Sequence, residues 1–402
     1  MIYSVTGCNF GDEGKGLVTD YLSSLSPDTV VVRHNGGAQS GHTVETGAAR
    51  FVFHELSSGS FRNADTFWAE TFFPDIYKLE EEITDFYSVS GFTPVIYASP
   101  FANLTLITDI LINMAAETAR ADKRHGSCGM GINEAFLRTE SGFGVSVEKA
   151  AGMTSQQLFA QLKDIRSDYS LLRLEKLGLN GDNAGEYYDL LMNDTVLLNF
   201  SDAVMKNFKY ITVCENTGKL LRSYRNVIFE TGQGLRLDSE NTAEYPNVTA
   251  SRTGSANPSR ILEKCSLKLD KAFYVSRSYL TRHGAGKLLY ECEAERLGNI
   301  SEDKTNRFNE WQGAIRYAYF SDPVKMIEPA VTDIKTFNPG QSALVITHLN
   351  ETGGKLRFAS GDLSVGDFAC LDCVKNNFSL VFTSYTPFSS DIKELININN
   401  NN

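Results

Sequence analysis

The sequence predicts an α/β protein with one large, mostly parallel central sheet flanked by helices. Three observations predict it. Short runs rich in β-branched and aromatic residues recur along the 402-residue chain. They are apolar at nearly every position rather than at alternate ones, as in strands buried on both faces of a parallel sheet. The first two run directly into glycine-rich loops, and helically spaced residues follow the first of these, which is the opening of an α/β unit. Finally, a composition of 42% hydrophobic and 22% charged residues supplies enough apolar mass for one large core or two smaller ones.

In chain order, Ile2 to Thr6 reads as a strand and leads into GCNFGDEGKG (Gly7 to Gly16), after which LVTDYLSSL has helical spacing. TVVVR (Thr29 to Arg33) is a second strand, ending in HNGGAQSGHT (His34 to Thr43). Further strands are expected at Asn226 to Glu230, Ala272 to Ser276, Ala343 to Thr347 and Leu380 to Ser384. Thr105 to Arg124 carries apolar residues at helical intervals. Leucine-rich stretches broken by Gly178, Gly181 and Gly185 read as a helical excursion off the sheet, over about 150–222. No Pro/Ser-rich linker or internal repeat divides the chain, so 1–395 reads as a single domain. The asparagine-rich end, 396–402, is expected to be disordered.

The net charge of −11 argues against coating nucleic acid, which calls for a basic face. It is compatible with small anionic substrates, which need only a few placed cations and N–H groups. The seven scattered cysteines include a lone CxxC, Cys370 and Cys373, with no second pair or histidines at ligand spacing, and they read as ordinary reduced thiols. The opening MIYSVTG has no basic n-region, and no run approaches 18 apolar residues. A cytoplasmic protein with no membrane partner is the expectation.

The first loop has the physics of a phosphate cradle. Gly7, Gly11, Gly14 and Gly16 let backbone N–H groups turn toward one point, a helix dipole follows, and Lys15 adds a full charge. It is not a Walker A loop, which needs glycine at the position of Asn9 and Ser or Thr at that of Gly16. Two acids, Asp12 and Glu13, lie inside it. An acid in a phosphate loop needs a cation or a proton to move, so Mg²⁺ coordination and general-base work are its two uses. The second loop repeats the pattern with Gly36, Gly37 and Gly41, followed by His42. Both loops would lie outside the carboxyl ends of strands, where open α/β sheets bind ligands.

FGDEGKG (Phe10 to Gly16), followed by a glycine-rich loop ending in GHT (Gly41 to Thr43), resembles the start of the adenylosuccinate synthetase family. HELSSG (54–59) resembles its HLIPSG, and HGSCGMGI (125–132) its GTTGRGIG. FETGQGLRLD (229–238) with YPNVTAS (245–251) is similar to FEGAQG…LD…YPxVTSS. SRSYLTRHGAG (276–286) resembles TRVGAG, THLN (347–350) TKLD, and SYTP (384–387) STGP. These islands keep the family's order along nearly the whole chain.

The resemblance implies a ligase that joins aspartate to the 6-position of inosine monophosphate with GTP, through a 6-phosphoryl intermediate, as a homodimer with a shared site. On this chain it implies that Asp12 takes the purine N1 proton and that His42 donates to the 6-oxygen or the moving phosphoryl group. Lys15 would offset charge and Gln233 would hold the base. Asp12 and the carbonyl of Gly41 would hold Mg²⁺. Gly11, Glu13, Gly14, Gly16, Asn35 and Gly37 would line the nucleotide and phosphate site. Ser127 and Thr249 would bind the 5′-phosphate, with Arg138 the nearest match to a second phosphate arginine. Asn350, Ser384 and Pro387 would meet the base of the triphosphate. Arg316, with Arg307 or Arg282, would hold aspartate, since a dicarboxylate calls for a bidentate arginine.

Several positions depart from the family's pattern. Cys128 and Met130 replace a threonine and an arginine of GTTGRG, and NEWQGAIRYAYFSD (309–322) replaces the TTGRxRR loop. Asn350 replaces the acid of TKLD, which makes ATP as well as GTP a candidate donor. A phage-type branch of the family acts on dGMP to make 2-aminoadenylosuccinate, and its loop acid is typically lost. Asp12 is kept here, which favours the hypoxanthine acceptor. The same chemistry on dGMP and an inactive nucleotide-binding paralogue remain the alternatives.

Overall fold

The computed structural model describes residues 1–120, 129–301 and 313–398. Ten strands form the main sheet. They are β1 (Ile2–Gly7), β2 (Thr29–Arg33), β3 (Asp65–Trp68), β4 (Ile96–Ala98), β5 (Ile211–Val213), β6 (Asn226–Gly234), β7 (Lys271–Arg277), β8 (Gln341–Thr347), β9 (Leu380–Thr383) and β10 (Lys393–Asn397). Their order across the sheet is β10-β9-β8-β7-β1-β6-β2-β3-β4-β5. Every neighbouring pair is parallel except β9 with β10.

Successive side chains of a strand face opposite ways, and this sheet buries both faces. On one, Val30, Val32, Val227 and Phe229 pack with Phe67, Ile261 and Leu262. On the other, Val5, Val31, Ile228 and Val345 pack with Leu17, Val18 and Leu22 of α1 (Lys15–Ser24). Two cores require apolar residues at consecutive positions, which is why the runs do not alternate. Each such fully buried aliphatic side chain contributes roughly 1.5–3 kcal/mol. Two charged residues, Arg33 and Glu230, sit side by side in β2 and β6 and are both buried.

The helical excursion contains Ser155–Ile165, started by a capping box between Thr154 and Gln157, and Asp194–Asn207. Leu158, Leu162, Leu197 and Phe200 seal these helices onto Phe53, Trp68 and Phe86. The excursion then returns to the sheet as β5, a three-residue edge strand too short to announce itself in sequence. Thr105 to Arg124 resolves as a helix over Ile107–Arg120, with 121–124 outside the described residues. The disordered tail starts too early in the sequence-based expectation. Ile396 and Asn397 belong to β10, where Ile396 pairs with Val381 and packs into the core beneath it, while 399–402 lie outside the described residues. Among the described residues no helix is long and apolar enough to cross a membrane.

With nine strands parallel, the loops that follow β1, β2, β6 and β8 emerge at the same edge. The order β7-β1-β6-β2 puts the first glycine loop, the end of β6 and the second glycine loop next to one another.

Candidate functional site

In the first loop the two acids separate. The Glu13 carboxylate turns inward: one oxygen accepts from the backbone N–H groups of Asn9 (3.0 Å) and Gly11 (2.9 Å), the other from Lys15 Nζ (3.0 Å). Glu13 and Lys15 are each only 3% exposed. Expected among the phosphate-binding residues, Glu13 instead fills part of the cradle itself, because amides converging on one point attract the nearest anion. Asp12 points the other way. Its backbone is left-handed, φ 60°, between Gly11 at φ 105° and Gly14 at φ 92°, and its side chain is 27% exposed. Non-glycine residues adopt this conformation at a cost unless the surroundings enforce it. Here Arg277 Nε donates to the Asp12 carbonyl, and Thr347 Oγ1 to that of Glu13 at 2.8 Å.

The second loop is tied down from beneath. Arg33, buried at the end of β2, donates through Nη2 to Ser40 O (3.2 Å), Ser40 Oγ (3.0 Å) and His54 O (3.0 Å). His42 Nδ1 lies 2.8 Å from Glu230 Oε1 and 3.2 Å from Arg33 Nη1. A guanidinium can only donate, so the shorter, charge-assisted contact puts the proton on Nδ1 and directs it to Glu230. His42 Nε2 is then the free face of the ring, buried and without a hydrogen-bond partner among the described residues. Burial lowers the His42 pKa, Glu230 only partly offsets this, and Arg33 and Lys15 lower it further, so the resting imidazole is neutral. Burial alone would raise the Glu230 carboxyl, but His42, Arg33 and Ser58 outweigh it and hold the group ionised. Glu230 also accepts from the Ser58 N–H at 3.3 Å, which ties the HELSSG segment to the same point. Glu82 closes the back of that segment by accepting from the N–H groups of residues 54, 55 and 56. Arg33 and Glu230 carry no role in the sequence reading. The available signal was a charged residue closing an otherwise apolar strand.

Close backbone contacts join the loops. A Cβ at Gly16 would lie 2.9 Å from the backbone oxygen of Thr43 and 3.2 Å from the His42 Cβ, so glycine lets the start of α1 meet the second loop. A Cβ at Gly234 would lie 2.2 Å from Asn9 O, so the end of β6 rests directly on the first loop. Gln233, just before it, presents an unpartnered buried Oε1 beside Gly36. Asp12, Lys15, Gly41, His42 and Gln233 therefore lie on three adjoining chain segments. Asn35 Oδ1 accepts from the Gly232 N–H at 2.8 Å, and its amide lies 3.5 Å from Ser251 Oγ, which is 3.4 Å from Thr249 Oγ1. The Asn35 amide and the hydroxyls of Ser251 and Thr249 thus form one polar cluster. Gly37 pairs with Phe73, and its Cα faces Ile132 Cδ1. Met130 packs into that apolar cluster, and Ser127 lies outside the described residues.

On the other flank, the loop after β8 adjoins the loop after β9, with Leu349 N–H reaching Ser384 O at 3.4 Å. Asn350 and Pro387 are exposed there, while the Ser384 hydroxyl is occupied by Thr386 O at 2.9 Å.

Three arginines serve other ends than those expected. Arg138, matched to phosphate, is fully buried. It forms a bidentate pair with Asp109 (2.8 and 2.9 Å) and also donates to the carbonyls of Phe143 and Leu104. Four of its five N–H donors are thus engaged in the interior. Arg316, matched to aspartate, is bidentate to Glu291 (2.8 and 2.6 Å) and donates to Gly284 O and Gly286 O. Arg282 lies over the Phe10 ring, 4.3 Å from its centroid, with Glu244, Lys287 O and Asn247 O as partners, and its buried Nε has no hydrogen-bond partner among the described residues. Arg307 lies outside the described residues.

His34, at the base of the second loop, has its pKa pushed down to about 3 by burial and then by Arg33. A folded-state value below the unfolded 6.5 means that the unfolded chain takes up a proton the fold refuses, so stability is lost as pH falls below 6.5. Between pH 7 and pH 5 His34 alone should remove about 2 kcal/mol. Urea unfolding at both pH values should show this drop, and His34→Gln should remove it while keeping a donor for Thr231, now 3.1 Å from Nε2.

The donor set fits a hard divalent cation. Among the described residues no cluster of three His, Cys, Asp or Glu side chains could hold a metal alone. Asp12 offers one partly exposed carboxylate, and a site with so few protein ligands leaves most positions to phosphate oxygens and water, the usual manner for Mg²⁺.

Fold and site together define an α/β protein whose glycine loops, at the carboxyl edge of a parallel sheet, converge on one carboxylate and one imidazole. The chain belongs to the adenylosuccinate synthetase family, whose model matches residues 4–316. It is 28% identical over 292 residues to the adenylosuccinate synthetase of Bacteroides thetaiotaomicron, a match covering 70% of this chain and 63% of that relative's length. The fully ligated adenylosuccinate synthetase of Plasmodium falciparum shares the fold, with TM-score 0.67 and 18% identity over 97% of this chain and 98% of that one. So does the succinoaminodeoxyadenylate synthetase of cyanophage S-2L, solved with dGMP and with dATP as energy donor, at TM-score 0.64 and 14% identity over 99% and 96%.

Proposed function

We propose that this chain is a ligase that joins the amine of aspartate to C6 of a purine nucleoside monophosphate. IMP is the acceptor, and a triphosphate, ATP in preference to GTP, drives the reaction. The observation that carries the reading is the division of labour in the first loop: Glu13 satisfies the cradle from within and leaves Asp12 as its one outward carboxylate. Asp12 takes the proton from purine N1, which makes the 6-oxygen a nucleophile. That oxygen attacks the γ-phosphorus and the nucleoside diphosphate leaves. The aspartate amine then adds at C6, expels inorganic phosphate and loses its proton. His42 presents Nε2 as its acceptor face while neutral, and it donates to the oxygens in flight only after taking up a proton there, a form that the Glu230 carboxylate at Nδ1 favours. Mg²⁺ on Asp12 and the Gly41 carbonyl would supply neutralisation of the phosphates. Gln233 holds the base, and the donors around Thr249 take the 5′-phosphate.

Two observations support ATP. Asn350 stands where the family's TKLD has an acid, and an amide both donates and accepts, matching adenine's N6 amino group beside a ring acceptor. The cyanophage relative of the same fold was solved with an adenine triphosphate as donor. That relative also held dGMP, which keeps dGMP as the second acceptor to test. The homodimer belongs to the same proposal.

The experiment is a panel of IMP or dGMP with ATP or GTP, aspartate and Mg²⁺. It follows phosphate release and the shift in purine absorbance. Turnover should be highest with IMP and ATP. Turnover with dGMP alone would move the acceptor, and silence in every combination would remove the ligase reading.

A further inference from the structure

Among the described residues the Asp12 carboxylate has one ion-pair partner, His283. His283 Nε2 lies 3.5 Å from Asp12 Oδ2, and the ring is 17% exposed. Neither of its nitrogens has a hydrogen-bond partner among the described residues. His283 occupies the position of valine in TRVGAG, the family segment that this stretch resembles.

The turn bearing His283 is held more firmly than a surface loop requires. Arg282, the preceding residue, stacks on Phe10 of the first glycine loop. Gly286 comes so near that a Cβ there would lie 2.2 Å from Arg282 Nη2. Arg316 Nη1 clamps the carbonyls of Gly284 (3.2 Å) and Gly286 (2.9 Å), with Glu291 fixing its other edge. The two arginines that sequence matching assigned to aspartate thus lock the turn against the loop that carries Asp12.

We infer that His283 is a positioning residue for Asp12: its Nε2–H engages Oδ2 and leaves Oδ1 to face the acceptor ring. The inference rests on the reading of Asp12 as the group that takes the N1 proton. A 3.5 Å contact is long for a hydrogen bond, but such contacts commonly tighten when substrates arrive. A carboxylate free to rotate would present its basic oxygen only part of the time, so the cost of losing His283 falls on turnover rather than on substrate affinity.

The test compares His283→Val with His283→Gln, whose side-chain amide keeps a donor near the original Nε2. His283→Val should lower kcat about ten- to hundredfold, the range for a lost hydrogen bond to a charged group. KM for acceptor and donor should change less than about threefold, and the unfolding midpoint should stay put. His283→Gln should recover most of kcat. In ¹⁵N-histidine-labelled protein, the imidazole signal identified by its absence from His283→Gln should move on Asp12→Asn, a readout that needs no turnover. Wild-type kcat in His283→Val, equal losses in both variants, or an imidazole signal indifferent to Asp12→Asn would overturn the inference. Normal turnover in Asp12→Asn itself would instead overturn the underlying reading of Asp12.

Discussion

Asp12→Asn is expected to lower kcat by about two to four orders of magnitude, the span for a positioned general base, while leaving the unfolding midpoint nearly unchanged. The asymmetry follows from the geometry. The Asp12 side chain is partly exposed, and its one ionic neighbour among the described residues sits 3.5 Å away, so the fold gains little from the charge. Its backbone is left-handed, a conformation that asparagine tolerates as well as any residue except glycine. The substitution therefore removes the base without straining the loop. Alanine would do both and confuse the result. Steady-state turnover and urea unfolding of the same preparation check the two halves. A variant that loses stability along with activity would show that Asp12 braces the loop rather than acting on a substrate.

Glu230→Gln is expected to act in the opposite way, costing about 3–5 kcal/mol of stability as well as activity. Glu230 is 0% exposed and shares its carboxylate between Arg33, itself 1% exposed, and His42. Removing one partner leaves Arg33 as an uncompensated buried cation, which costs far more than the pair contributes as a unit. The same change leaves His42 Nδ1–H without a charged acceptor, so Nε2 is no longer reliably the acceptor face. Unfolding by urea, followed by circular dichroism, measures the first effect. A double variant, Arg33→Met with Glu230→Leu, separates charge from packing, because replacing both partners by apolar groups of similar volume is often near neutral. Recovery of stability in the double variant with turnover still absent would place the pair's importance in holding His42.

Much of this was legible in the residues. The first two strands, both glycine loops and the ladder of later strands stand out because strands buried on two faces cannot hide their apolar runs. The outward role of Asp12 and the isolation of His42 Nε2 required three dimensions, since nothing in the string says which of two adjacent acids folds back on its own amides. The arginines show the same limit more sharply. Arg282 sits within a segment that resembles the family's TRVGAG, while Arg138 and Arg316 are the nearest matches to arginines of segments that otherwise depart from its pattern. Arg138 and Arg316 are held bidentately by Asp109 and Glu291, and Arg282 through Nη1 alone by Glu244, carboxylates 29, 25 and 38 residues away in sequence. Charge complementarity over such separations is set by packing, not by local spacing. The strands missed, β3, β4, β5 and β10, are three to five residues long and complete one edge or the other of a sheet whose centre was already evident.

Transfer of the purine oxygen is the event on which the proposed chemistry turns. With an acceptor nucleotide carrying ¹⁸O at position 6, one complete turnover should release inorganic phosphate bearing a single ¹⁸O, because that oxygen leaves C6 attached to the γ-phosphorus. Phosphate without the label would mean that the acceptor oxygen never attacked phosphorus, and the roles given to Asp12 and His42 would have no reaction to serve.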